Sequence, residues 1–175
     1  MADERAAPPT IAITEAVAPG DVAHVRALFE AYAAWLGFSL AYQDFDRELA
    51  TLPGRYAPPD GLLLLARSDG VPAGCGALRA LEPGICEMKR LYVRPACRGE
   101  GIGRRLAQRL IEVATARGYA AIRLDTMTDR MPDAYRLYLS LGFREIPAYC
   151  ASACPDASYL ELRLGLPDGE MPATT

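Results

Sequence analysis

Apolar positions recur along this chain at two periods, and the changes between them divide it into elements. Ile11 to Val17 alternates weakly and predicts a strand. Val22, Val25, Phe29, Tyr32 and Leu36 then recur at steps of three and four, which places them on one face of a helix, with Asp21 as its expected N-cap. A shorter helix is expected to end near Leu52. Gly61 to Arg67 is a short apolar run, Ser68-Asp69-Gly70 reads as a hairpin turn, and Val71 to Leu81 returns, its Gly74 and Gly76 loosening the strand. Glu82-Pro83-Gly84 turns once more into Ile85 to Val93, so these three strands are expected to form an antiparallel meander. Residues 101 to 117 carry Ile102, Leu106, Leu110 and Val113 on one helical face and stop at Gly118. Ala120 to Asp125 reads as the next strand and Tyr159 to Leu164 as the last. A helix between two strands requires a parallel crossover. The expected fold class is therefore α/β with a mixed sheet, antiparallel first and parallel at its centre.

The ends lack any such pattern. Residues 1–10 and 167–175 are rich in Pro, Ala, Thr and acidic residues and are expected to be mobile tails around one domain spanning 11–166. At 175 residues, 51% hydrophobic and 23% charged, the chain has the length to bury a substantial core. A net charge of −3 argues against a nucleic-acid partner, which would call for basic patches that neutralise phosphates. No apolar run approaches the roughly 20 residues that span a bilayer. The start Met-Ala-Asp-Glu-Arg lacks the basic-then-apolar order of a signal peptide, so a cytoplasmic protein with no membrane partner is expected. Cysteines at 75, 86, 97, 150 and 154 are odd in number and scattered, which fits reduced thiols. With His24 as the only histidine, and off the apolar stripe of its helix, no metal site is expected.

Against this acidic background arginines gather between Arg94 and Arg109 and need a local partner. They surround the stretch Leu91-Tyr92-Val93-Arg94-Pro95-Ala96-Cys97-Arg98-Gly99-Glu100-Gly101-Ile102-Gly103-Arg104-Arg105-Leu106, which reads as a strand, a glycine-rich turn and a helix start. Glycines at 99, 101 and 103 remove Cβ atoms where a ligand approaches the main chain, and the new helix begins with N–H groups that no carbonyl within it accepts. With the helix dipole and Arg98, Arg104 and Arg105, these donors suit a phosphate or pyrophosphate. No Gly-Lys-Ser/Thr follows for a P-loop, and no acidic residue closes a second strand where a dinucleotide site requires one.

The run Arg98-Gly-Glu-Gly101-Ile-Gly103 resembles the Arg/Gln-x-x-Gly-x-Gly/Ala signature of the GNAT superfamily of acyl-CoA-dependent N-acyltransferases, here directly after a strand, as in that family. The later run Ala134-Tyr-Arg-Leu137-Tyr138-Leu-Ser-Leu141-Gly142-Phe143 looks like its second signature, A-x-x-L-Y-x-x-x-G-F. The likeness covers roughly residues 85 to 165 well. It implies a central mixed sheet of about six to seven strands flanked by about four helices. By the same resemblance, acetyl-CoA is the co-substrate, without a metal, and Leu91, Tyr92, Val93, Arg98, Gly99, Glu100, Gly101, Ile102, Gly103 and Arg104 line its site. A backbone N–H near Leu91 to Val93 is then expected to polarise the acyl carbonyl.

Transfer of an acyl group to an amine needs a neutral amine, a polarised carbonyl and a proton for the leaving thiolate. Glu87 lies on the strand entering the glycine turn. On period-two alternation it shares a face with Lys89, Leu91 and Val93 and sits where the histone-acetylating branch places its base. The bland alternative is an ion pair with Lys89 or Arg90. Tyr138 falls on the signature tyrosine that the family keeps near the CoA sulfur, and a packed core tyrosine is its alternative. In the aromatic segment after the first helix, Phe38, Tyr42 and Phe45 are candidates for the acceptor cleft by resemblance and for core packing by composition. Met131 stands where many members carry an Asn that contacts the cofactor. The expected activity is N-acetylation of a primary amine, on a small molecule or a protein, and a homodimer is compatible with the chain. A non-catalytic acyl-CoA sensor, or an enzyme for another acyl chain, is the alternative.

Overall fold

The computed structural model describes residues 7–37, 39–150 and 156–165. Its seven strands run in the order β1 (Ile11–Glu15), β2 (Leu62–Ser68), β3 (Val71–Glu82), β4 (Ile85–Val93), β5 (Ala121–Met127), β7 (Ala157–Arg163) and β6 (Arg144–Ile146). Four helices flank the sheet: α1 (Pro19–Leu36), α2 (Phe45–Thr51), α3 (Ile102–Ala116) and α4 (Pro132–Ser140). All neighbouring strands are antiparallel except β4 and β5 at the centre, so the mixed sheet expected from the pattern is the one observed. The edge strand β6 carries no sequence signal that the periodicity detects. No helix among the described residues is long and apolar enough to cross a membrane.

Each face of the sheet buries its own core. On one face α3 buries Ile102, Leu106, Ala107, Leu110 and Val113 against Leu62, Leu64, Leu78 and Met88, and α4 adds Tyr138. Each large aliphatic side chain removed from water in this way contributes about 1.5–3 kcal/mol. Gly76 is what lets α3 seat so closely: a Cβ there would come within 3.0 Å of Leu110 Cδ1. On the other face α1 buries Val25, Leu28, Phe29 and Leu36 against Leu63, Leu65, Cys75 and Tyr92. Asp21 does not cap α1. The helix begins at Pro19, its N-cap Ala18 offers no side chain, and Asp21 instead accepts a hydrogen bond from Arg67 at 2.6 Å.

Two irregularities of β4 shape the centre of the sheet. The parallel pairing of β4 with β5 runs from Ile85↔Ala121 only to Glu87↔Arg123, after which β4 continues to Val93 and β5 to Met127 without meeting. The strands splay, and main-chain groups of β4 beyond Glu87 have no β5 ladder. Secondly, β4 carries a bulge. Cys75 pairs with Tyr92 and Ala77 with Lys89, so β4 has one residue more than β3 over this interval, and Arg90 sits at φ 57°. The bulge reverses the alternation. Glu87 and Lys89 share a face with Tyr92, while Leu91 and Val93 turn to the α3 face, which corrects the expected face of Glu87, Lys89, Leu91 and Val93.

Candidate active site

Beyond Val93 the chain makes a 3-10 turn at Pro95–Cys97, then passes Gly99 at φ 88° and Gly101 at φ 75° into α3. A side chain at either glycine would meet no protein atom within 4 Å. The demand is therefore on the backbone, since the left-handed region costs other residues about 1–2 kcal/mol. Gly101 caps α3 without a side chain, and the bond from Arg105 N–H to its carbonyl leaves Ile102, Gly103 and Arg104 N–H with no acceptor inside the helix. No acidic side chain occupies this first turn, so the positive end of the helix dipole is available to an anion.

These groups open on a cleft of about 500 Å³ between β4, α3, the start of α4 and the end of α1. Leu91, Tyr92, Val93, Arg98, Gly99, Gly101, Ile102 and Gly103 line it, together with Trp35, Pro132 and Leu137. Arg98 donates to the Val93 carbonyl at 3.2 Å and lies 4.6 Å over the Trp35 ring, tying the glycine turn to α1. Glu100 and Arg104 are absent from this lining. Glu100 accepts from Ser68 Oγ at 3.1 Å, and Arg104 donates to Ser140 Oγ at 2.7 Å.

Tyr32, Leu91, Met131 and Ala134 line both this cleft and a smaller inner cavity, so the two adjoin at these side chains. The inner cavity occupies the splay, with Met88, Lys89 and Arg90 on one wall, Asp125, Thr126 and Met127 on the other, and Tyr138 of α4. Among the described residues the Tyr138 hydroxyl has no hydrogen-bond partner. Burial pushes its pKa above the ordinary phenol value, and the Tyr32 and Asp125 charges act in the same direction. It is a protonated phenol at neutral pH, hence a donor.

The polar wall of the inner cavity is built from ion pairs. Lys89 Nζ lies 2.8 Å from Asp125 Oδ1. Burial raises the Asp125 pKa, but the charge and hydrogen bond of Lys89, with Arg90, outweigh this and hold it below its ordinary value. Arg90 grips Glu48 of α2 with two bonds, at 3.0 and 2.8 Å, donates to Gln43 at 2.8 Å and stacks 5.0 Å over Phe45. Burial of Glu48 is likewise overcome by Arg90, which leaves its carboxyl below the usual range.

Glu87 stands behind this wall. It is 3% exposed and lines neither cavity; Oε2 accepts from Arg79 at 2.7 Å, Oε1 from Tyr149 at 2.9 Å, and Lys89 Nζ lies 3.9 Å from Oε1. Phe45 is buried under Arg90 and also lines neither cavity. Phe38 and the Tyr42 side chain lie outside the described residues. Asp125, Thr126 and Gln43 line the cavity unannounced. The only trace of Asp125 and Thr126 in the sequence is polar residues at the end of a strand that begins Ala-Ala-Ile, and Gln43 leaves none in the aromatic segment that holds it.

The sequence profile described as "Acetyltransferase (GNAT) family" matches residues 25–143. An uncharacterised N-acetyltransferase of Schizosaccharomyces pombe is 37% identical over 90% of this chain and 97% of its own length. Among solved structures, an acetyltransferase of the GNAT family from Staphylococcus aureus superposes with a TM-score of 0.75 at 19% identity, over 89% of this chain and all of the other. An N-acetyltransferase from Thermoplasma acidophilum in complex with coenzyme A superposes with a TM-score of 0.68 at 19% identity, over 88% of this chain and 99% of the other.

Proposed function

The chain belongs to the GNAT family of acetyltransferases, and from that premise we propose that it moves an acetyl group from acetyl-CoA to a primary amine by direct attack within a ternary complex. The observation that carries this reading is that two unlike cavities adjoin across shared side chains. An outer cleft with a phosphate-suited helix start meets, at Tyr32, Leu91, Met131 and Ala134, an inner cavity that holds a protonated phenol and a carboxylate. A long ligand with an anionic end and an apolar arm fits the first, and its thioester reaches the second.

In this reading the N–H groups at the start of α3 and Arg98 hold phosphate, and Leu91, Val93 and Leu137 flank the arm. Main-chain N–H groups of splayed β4 face the acyl carbonyl. The amine enters as an ammonium and docks against Asp125. Lys89, paired with Asp125, keeps that wall close to neutral, so the ammonium is not strengthened and its proton is released to water. The neutral nitrogen then bonds to the acyl carbon, the C–S bond breaks, Tyr138 gives its proton to the departing sulfur, and the second proton lost by the nitrogen passes to water, from which Tyr138 is reprotonated. Glu87 acting as base would have to give up Arg79 and Tyr149. We assign it instead to positioning Lys89 and, through it, Asp125.

The test is an acetyl-CoA turnover assay against a broad panel of amines with detection of released thiol. Amine-dependent thiol release is expected. A protein that binds acetyl-CoA tightly and acetylates nothing in the panel would be a sensor, and an enzyme that prefers a longer acyl-CoA would correct the donor.

A further inference from the structure

Thr126 Oγ1 is the only side-chain polar atom among the described residues that is completely buried and has no hydrogen-bond partner. Thr126 is 3% exposed, and leaving a hydroxyl buried and unpaired costs roughly 1–3 kcal/mol, so such a group calls for an explanation. Its place offers one. Thr126 lies on β5 in the splay and lines the inner cavity with Tyr138, Met88 and Leu91. By strand alternation it shares a face with Ile122 and Leu124, which pack in the α3 and α4 core, whereas Asp125 faces Lys89 on the opposite side. Thr126 therefore stands on the α3 and α4 side of the splay, the side of Leu91 and Tyr138, and away from the Lys89–Asp125 pair.

We propose that Thr126 donates a hydrogen bond to the carbonyl oxygen of the bound acyl thioester, from β5, facing the main-chain donors of β4 across the splay. The acyl oxygen is then held from both strands, and discrimination between acyl-CoA and free CoA resides in part in this residue. The proposal rests on the acyl-CoA reading of the two cavities. It gives the orphan hydroxyl a partner that is present only when the donor substrate is bound.

Calorimetric titration of the whole chain with acetyl-CoA and, separately, with CoA tests it in Thr126→Val, Thr126→Ala and Thr126→Ser. The valine variant is nearly isosteric and removes the unpaired group, so the ligand-free protein is expected to melt at the same temperature or higher. Its affinity for acetyl-CoA is expected to fall about five- to tenfold, the worth of one hydrogen bond, with CoA affinity unchanged. Alanine repeats the loss if valine does not fold, and serine restores the preference. Equal binding of acetyl-CoA by the parent, valine and alanine proteins would overturn the proposal, as would equal weakening of both ligands. A parent protein that binds neither would overturn the acyl-CoA reading with it.

Discussion

The outer cleft and the inner cavity are neighbours built in opposite ways. Most of the cleft comes from one continuous stretch, Leu91 to Gly103, and its chemistry is mainly main chain: glycines at positive φ and a helix start with free N–H groups. The polar wall of the cavity is assembled from side chains far apart in sequence, with Gln43 and Glu48 before α2 and within it, Lys89 and Arg90 on β4, and Asp125 on β5. A main-chain site depends on local conformation and tolerates most side-chain changes. An assembled wall depends on every partner, because each buried charge it holds is balanced by another.

The largest effect expected from this contrast is on stability, at Arg90. Arg90→Ala leaves Glu48 buried with only the Tyr56 hydroxyl at 2.9 Å, and it frees α2 from the bulge. Removing one member of a buried pair costs about 3–5 kcal/mol. For a chain of this length that lowers the melting temperature by roughly 6–20 °C. Acetyl-CoA affinity of the folded variant should stay within about twofold, because no group of the outer cleft is touched. A melt within a degree or two of the parent would show that the wall does not act as a unit.

The converse break is local. In Gly101→Val a β-branched residue is forced to φ 75° at the N-cap of α3, which either strains or rebuilds the anion site. Acetyl-CoA affinity is expected to fall about 100-fold, while the melting temperature moves by only the few degrees that about 1–2 kcal/mol implies. Calorimetry that finds parental affinity in the folded variant would remove the main chain from the account of binding.

The same contrast explains what could be read from the sequence. Local signals sufficed for six of the seven strands, the parallel centre, three of the four helices and the glycine turn, because each rests on a periodicity or a turn within a few residues, whereas α4 followed from the family resemblance and β6 left no signal. Glu100 and Arg104 were expected at the cleft from the family resemblance and, for Arg104, from its charge, and their side chains instead bond Ser68 and Ser140, from β2 and α4. The reading of the face of Glu87 failed at a single residue. A bulge at a non-glycine positive φ leaves no periodic trace, yet it moves Leu91 and Val93 to the other side of the sheet from Lys89. The importance of Asp125 and Thr126 depends on where β4 and β5 part, which no local pattern records.

On the wall of the inner cavity stands Tyr138, whose signature position is local but whose proposed role needs the cavity. Tyr138→Phe keeps the edge contact with Phe143, 5.7 Å between ring centroids, and removes only a hydroxyl that has no partner among the described residues. Stability and acetyl-CoA affinity should therefore hold while kcat falls about 10- to 100-fold, the scale of one lost proton donor. Full turnover would return Tyr138 to the core.

The smallest expected effect separates the assembled wall from a catalytic base. Asp125 has a depressed pKa in the fold, so its contribution to stability is complete above its unfolded value near 4 and is lost only as pH falls through the lower folded one. Asp125 thus stays ionised throughout an assay between pH 6 and 10, and the acid limb of log(kcat/KM) should follow the pKa of the amine used, shifting when the amine is changed. Glu87→Gln preserves shape but weakens the hold on Arg79 and Lys89, so it should lower the melting temperature while changing kcat/KM by less than about threefold at any pH. If Glu87 is itself the base, the glutamine variant instead loses most of its activity, and the acid limb of the parent stays fixed when amines of different pKa are compared. The two profiles differ in what moves them, so a single series of three amines on two proteins decides whether the carboxylate behind the wall takes the proton or only positions Lys89 and Asp125.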